Sequence, residues 1–238
     1  MDHYRKTLVL LWSTLLAIVV MVFVNRLFED RWPSDMLDAV MHNFILDAEQ
    51  NIPTWFSSVL LLLGGAGWLW LASIDKHKSH PDRWRYLALA GMFFYMSCDE
   101  TAVLHELLSG PIKQRMEVGG LTYHAWTMVG LAVVVTVSVV MWPMLRRLSP
   151  SLRRFALVAG AVYVGGGLVI ESLGGALAER TGKQSFRYFL VSTLEETMEM
   201  SGAMLLVTGF IREMRIHHAA LPAVSADSQA SPAVNRAA

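Results

Sequence analysis

Six stretches of the chain, 7–24, 52–73, 84–108, 121–145, 155–178 and 188–211, are mostly apolar and each is long enough to cross a bilayer. The hydrocarbon core requires roughly 20 such residues per helix. The sequence therefore predicts an all-α, polytopic membrane protein built as a six-helix bundle in one domain, 1–216. Composition agrees: 54% of residues are hydrophobic and 17% charged, against about 25% charged in soluble domains. That balance argues against a water-soluble enzyme and against a disordered chain. Twenty Lys+Arg offset twenty Asp+Glu, so no net charge points to nucleic acid. A single cysteine, Cys98, rules out an intrachain disulfide and a CxxC metal site. It reads as a small apolar residue.

The first span follows Arg5 and Lys6 but runs into Val24-Asn25-Arg26 without a small-residue cleavage site. It reads as a retained helix rather than a signal peptide. Thirteen Lys/Arg fall at the N-terminus, the second-to-third and fourth-to-fifth connections and the C-terminal end, and seven at the other three connections. The positive-inside rule then places both termini in the cytoplasm. Between the first two spans, 34–51 carries Leu37, Val40, Met41, Phe44 and Ile45 at helical spacing, with Asp35, Asp38, Asp47 and Glu49 opposite. This predicts an amphipathic helix on the outer surface. The tail 217–238 is Ala, Ser, Pro and Val without periodicity and reads as disordered and cytoplasmic. His217 and His218 belong to that tail rather than to a metal site.

Seven carboxylates lie inside the spans: Asp99, Glu100, Glu106, Glu171, Glu195, Glu196 and Glu199. No span has a Lys or Arg at comparable depth. Insertion scales put roughly 2.5–3.5 kcal/mol on each charge at mid-membrane, so such residues mark function by default. Packed together they repel, and protons, metal cations or water must neutralise them. Under the topology above, all seven fall in the outer half of the bilayer. His124 opens the fourth span on that side and Glu49 precedes the second. On the sixth span Glu195, Glu196 and Glu199 share one face, within about 60°. On the fifth, Gly167, Glu171 and Gly174 share a face, where glycines let another backbone come close. On the third, a continuous helix sets Asp99 and Glu106 about 10 Å apart along its axis.

Asp-Glu-x4-His-Glu at 99–106, Glu171 after Gly165-Gly166-Gly167, and Glu-Glu-x-x-Glu-Met-x-Gly at 195–202 resemble a family of bacterial six-helix integral membrane proteins. The stretch from Glu49 to Phe56 and the Ala125-Trp126 pair share the resemblance, which covers most of the chain except the tail. It implies the fold and the motif list, and the expected location is a bacterial inner membrane. It implies no reaction.

Two functions compete. In the first, Glu100, His105, Glu106, Glu171, Glu195, Glu196 and Glu199 hold one or two ions of iron, manganese or zinc, since carboxylates and imidazoles are hard to borderline ligands. Asp99, His124 and Glu49 are supporting groups or further ligands. Carboxylate-bridged bundles project Glu and Glu-x-x-His inward from four helices. This chain has the residue types but no Glu-x-x-His. A bound metal would serve an oxidoreductase or a hydrolase, and a site open to the outer leaflet suits a lipid, quinone or other apolar substrate. Haem is not expected, because acids surround the only histidines near enough to ligate it. In the second, the same acids carry protons or cations through a transporter or channel. The apolar inner halves of the second, fourth and sixth spans favour a one-sided site over a path. A structural or sensing role with protonated acids is a third reading.

Overall fold

The computed structural model describes residues 3–28, 34–45, 51–74 and 81–229, and every regular element among them is helical. Helices α1 (His3–Phe28), α2 (Asp35–His42), α3 (Ile52–Ile74) and α4 (Arg83–Ala102) are followed by α5 (Glu106–Lys113) and a 3-10 turn at Gly120–Thr122. Then come α6 (Trp126–Leu145), α7 (Pro150–Val164), a π-helical turn at Gly165–Ile170, α8 (Glu171–Thr181) and α9 (Phe186–Gln229).

Four helical stretches are long and apolar enough to cross a membrane: Tyr4–Phe28, Ile52–Ile74, Trp126–Leu145 and the continuous Pro150–Thr181. Helices α4 and α5 pass the same measure only together, across a 78° bend, which makes five if that bent pair is one span. These features are compatible with a multi-pass membrane protein. Helix α9 carries Glu195, Glu196 and Glu199 in one half and Arg212, Glu213 and Arg215 further on, and does not meet the same measure. It nevertheless packs against α1, α3, α7 and α8, with Met200, Ala203, Met204, Val207 and Phe210 buried. The outward faces of α1 and α6 are apolar, with Leu10, Leu16, Leu131, Val135 and Val139 exposed. Apolar surface on that scale needs lipid or a partner to cover it.

Local sequence explains the element ends. Asn51 caps α3: its Oδ1 accepts the Thr54 N–H at 2.8 Å while its amide donates to the Ile45 carbonyl at 2.6 Å. Ser149 caps α7 by accepting the Leu152 N–H at 3.2 Å, ahead of Pro150 at the first helical position. Ser34 accepts the Leu37 N–H at 3.3 Å, so the helix expected across 34–51 begins where predicted. It ends at His42, however, and residues 46–50, Glu49 among them, lie outside the described residues. Helix α9 continues to Gln229, into the stretch read as a disordered tail. Cys98 is exposed rather than buried.

The helices alternate in direction between two ends. At one end, Asp82 before α4 accepts from Arg147 after α6, and Ser149 donates to Glu213 of α9 at 2.8 Å. The Arg215 guanidinium lies 5.2 Å from the Tyr4 ring there. At the other end, Arg26 of α1 donates to the Gln184 carbonyl before α9 at 3.2 Å. Between them, α3 and α4 are joined by Ser58 and Ser97, each hydroxyl donating to the other's carbonyl, at 2.7 and 2.8 Å. A cluster around Trp68, Leu89, Met144 and Leu152 fills the first end. A second around Leu15, Leu60, Leu61 and Met200 fills the other half.

Asp82 is fully buried and receives Arg147 Nε and Nη2, both at 2.6 Å, and Arg85 Nη1 at 3.0 Å. The hydrogen bonds from Arg147 hold its carboxyl below the usual carboxylate range, against the opposing effect of burial. A carboxyl depressed in the fold contributes stability above its unfolded value, which is lost as pH falls through the folded value. Unfolding midpoints should therefore be flat near neutrality and fall below about pH 4. Asp82→Asn should cost about 1–3 kcal/mol, since the half-exposed Arg147 regains water. It should also remove part of that acid dependence. A midpoint unchanged at pH 7 would show that the two connections are not held by this pair.

Candidate functional site

The third apolar stretch does not run straight through its acids. Helix α4 stops at Val103, which sits in the left-handed region at φ 55°, ψ 39°. A β-branched residue there is a real outlier, at a cost of order 1–3 kcal/mol. Asp99 holds the break in place. Its carbonyl accepts the Val103 N–H at 2.6 Å, its Oδ1 accepts the His105 N–H at 2.7 Å, and its Oδ2 lies 3.0 Å from His105 Nδ1. The continuous helix expected through Asp99 and Glu106 is thus replaced by a sharp bend, and their spacing along one axis does not apply. No Gly or Pro marks the break in sequence; an Asp capping the chain six residues on is what makes it.

The fourth stretch is likewise delayed. The chain forms the 3-10 turn, then His124, and helix α6 begins only at Trp126. The Gly120 N–H donates to Glu179 of α8 and fixes this entry segment. Gly175 of α8 lies beneath it: a Cβ there would stand 2.7 Å from the His124 ring and 3.0 Å from Tyr123 Cβ.

The glycines before Glu171 bring α9 close. A Cβ on Gly166 would stand 2.8 Å from the Glu195 carbonyl oxygen, and one on Gly167 would collide with the Glu199 carboxylate. Gly174 faces Val191 and the Glu195 carboxylate. The π-helical turn at Gly165–Ile170 widens the backbone immediately before Glu171; such turns recur at functional sites.

These elements enclose a cavity of about 200 Å3 at the end of the bundle away from Asp82. Asp99, Glu100, His105 and Glu106 come from the α4–α5 bend, His124 and Trp126 from the entry to α6, and Glu171 from α8. Glu195, Glu196 and Glu199 come from α9. Every candidate residue named from sequence lines this one cavity except Glu49, which lies outside the described residues. The Trp126 indole donates to Glu171 Oε1 at 2.8 Å, and that oxygen lies 3.6 Å from His124 Nδ1. His124 Nδ1 is 3.9 Å from Glu106 Oε1. The His105 ring packs 4.8 Å from Trp126. With Nδ1 engaged by Asp99, the ring nitrogen left for other chemistry on His105 is Nε2.

Sequence reasoning missed Thr54, Tyr163, Lys183, Tyr188 and Ser192, which also line the cavity. Thr54 lies within the 49–56 stretch that carries the family resemblance, and Tyr163 lies two residues before the glycine run. Lys183 comes from the α8–α9 connection and lies 5.8 Å from the Tyr188 ring; in the sequence it bears only on topology. Among the described residues, no group of three or more His, Cys, Asp or Glu is drawn together closely enough to hold a metal ion as it stands.

A family model described as "Domain of unknown function (DUF8692)" matches residues 8–213, so the chain belongs to that family. No curated protein and no solved structure matches the chain.

Proposed function

We propose that this member of the DUF8692 family is a six-span membrane metalloenzyme with both termini in the cytoplasm and its acidic cavity in the outer half of the bilayer. Helix α9 is the sixth span, with its acids turned inward. The reading is supported above all by one observation: two histidines and seven carboxylates from four parts of the fold line one cavity. Asp99 engages one face of His105. A carboxylate on the far nitrogen of a ligating histidine fixes its tautomer and raises its basicity, and such partners commonly accompany metal sites.

In this reading the flexible Glu100, Glu195, Glu196 and Glu199 side chains close on one or two ions of iron, manganese or zinc. His105 Nε2 completes the set, and Glu106, Glu171 and His124 form the opposite wall. A bound ion supplies Lewis acidity or an activated water, serving a hydrolase or an oxidoreductase that acts on an apolar or amphiphilic substrate. Elemental analysis of protein purified in mild detergent tests it: a transition metal at one or two equivalents is expected, and metal-free protein after growth with ample metal would overturn it.

Proton or cation transport is the second reading. It is favoured by buried Trp68 Nε1 and Thr208 Oγ1, which have no hydrogen-bond partner among the described residues and lie toward the other end. Proton flux into liposomes, with metal-free protein, would select it.

A further inference from the structure

A second cavity, of about 120 Å3, adjoins the acidic one, and Lys183, Tyr188 and Ser192 line both. Its character is opposite. Arg26 from the end of α1 and Lys183 from the α8–α9 connection supply two cations, and Asn25 and Gln184 supply amides. Val22, Phe44, Ile45 and Phe189 supply an apolar wall. No acid lines it. Phe44 and Ile45 follow α2, whose Met36 and Val40 are exposed. An amphipathic helix of this kind lies at the headgroup level of a bilayer. Leu27 and Phe28, next to Arg26, are exposed as well. Cations flanked by apolar surface at headgroup depth match an amphiphile, with its anion at Arg26 and Lys183 and its chains against Phe44 and outward into lipid.

We infer that the second cavity is a subsite for the anionic headgroup of a phosphate-bearing amphiphile, delivered there to the acidic cavity. The inference rests on the reading of the acidic cavity as a reactive site, and it names the substrate class for that site. Arg26 is a suitable anchor because a guanidinium matches a phosphate in two contacts. It is held at the mouth by its bond to the Gln184 carbonyl and by the Phe189 ring, 5.7 Å away. Lys183, between the two cavities, would hold the headgroup facing the acids.

Binding is tested without metal, so the result does not depend on the metal reading. Full-length protein in neutral detergent containing EDTA is titrated with short-chain phosphatidate. Thermal stability and native mass spectrometry report occupancy, with diacylglycerol and inorganic phosphate as separate arms. Phosphatidate should bind and raise the melting temperature, and diacylglycerol should not. Lys183→Gln should weaken binding about tenfold, as expected for a charged hydrogen bond, and Lys183→Arg should restore it. Glu213→Gln, at the other end of the bundle, should leave it within about threefold. Equal stabilisation by diacylglycerol, or a Lys183→Gln variant that binds like wild type, would overturn the subsite. Inorganic phosphate binding as tightly as phosphatidate would overturn its assignment to an amphiphile. Protein that binds phosphatidate in this way yet purifies without metal would leave the subsite standing and remove the metalloenzyme.

Discussion

Glu199→Gln is expected to lower transition-metal affinity by more than the roughly 10–100-fold that changes behind the ligands produce, while preserving shape. Glu199 lines the cavity with Glu195 and Glu196, and its carboxylate lies over Gly167. A ligand bound only to the folded state contributes about 2.7 kcal/mol at a hundredfold excess over its dissociation constant. For a chain of this size each kcal/mol moves the melting temperature by about 2–4 °C. A chelator should therefore lower the wild-type midpoint by roughly 5–10 °C and leave Glu199→Gln nearly unmoved. If protons neutralise the cavity, the substitution imitates the protonated side chain: it stabilises the protein or leaves it unchanged, and the chelator alters neither form. The two mechanisms give different signs for the same substitution. Wild-type protein that ignores the chelator but responds to pH would end the metal reading.

The extent to which the site was legible in the sequence follows from what each residue had to do. An acid in an apolar span is costly wherever it points, so Glu100, Glu171, Glu195, Glu196 and Glu199 announce themselves by composition alone. Their common depth was an expectation from the six-span topology, and the face shared by Gly167, Glu171 and Gly174 was where the sequence allowed helices to meet. The bend after Asp99 was not. Val103 adopts a conformation its own chemistry disfavours, held by bonds from Asp99 to its own backbone N–H and to His105. A bend held by one side chain capping the chain six residues on leaves no periodic trace. Lys183 was overlooked for a different reason: loop residues show no period, and only the fold reveals which cavity a connection overhangs. The fourth span's late start at Trp126 belongs with these, since the 3-10 turn depends on a bond from Gly120 to Glu179, far along the chain.

Two glycine substitutions should separate packing from the site. A Cβ on Gly202 would stand 2.7 Å from the Tyr163 backbone nitrogen and 2.8 Å from the Ala159 carbonyl oxygen. Both are main-chain atoms of α7, and neither can rotate away. Gly202→Ala must push α7 and α9 apart, which typically costs about 1–3 kcal/mol and sometimes more. The gain of up to about 1 kcal/mol from alanine in a helix offsets only part of that. The melting temperature of metal-free protein should fall by several degrees, about 2–4 °C per kcal/mol. Gly167→Ala meets something different, the tip of the Glu199 carboxylate, and a flexible side chain yields where a backbone does not. Metal-free Gly167→Ala should therefore melt close to wild type, while its metal affinity drops at least about tenfold through the displaced oxygen. Melting in EDTA together with metal titration reads both effects. A neutral Gly202→Ala would mean that the α7–α9 contact is looser than its geometry implies. A Gly167→Ala variant with undiminished affinity would detach Glu199 from the metal, and with it the centre of the proposed site.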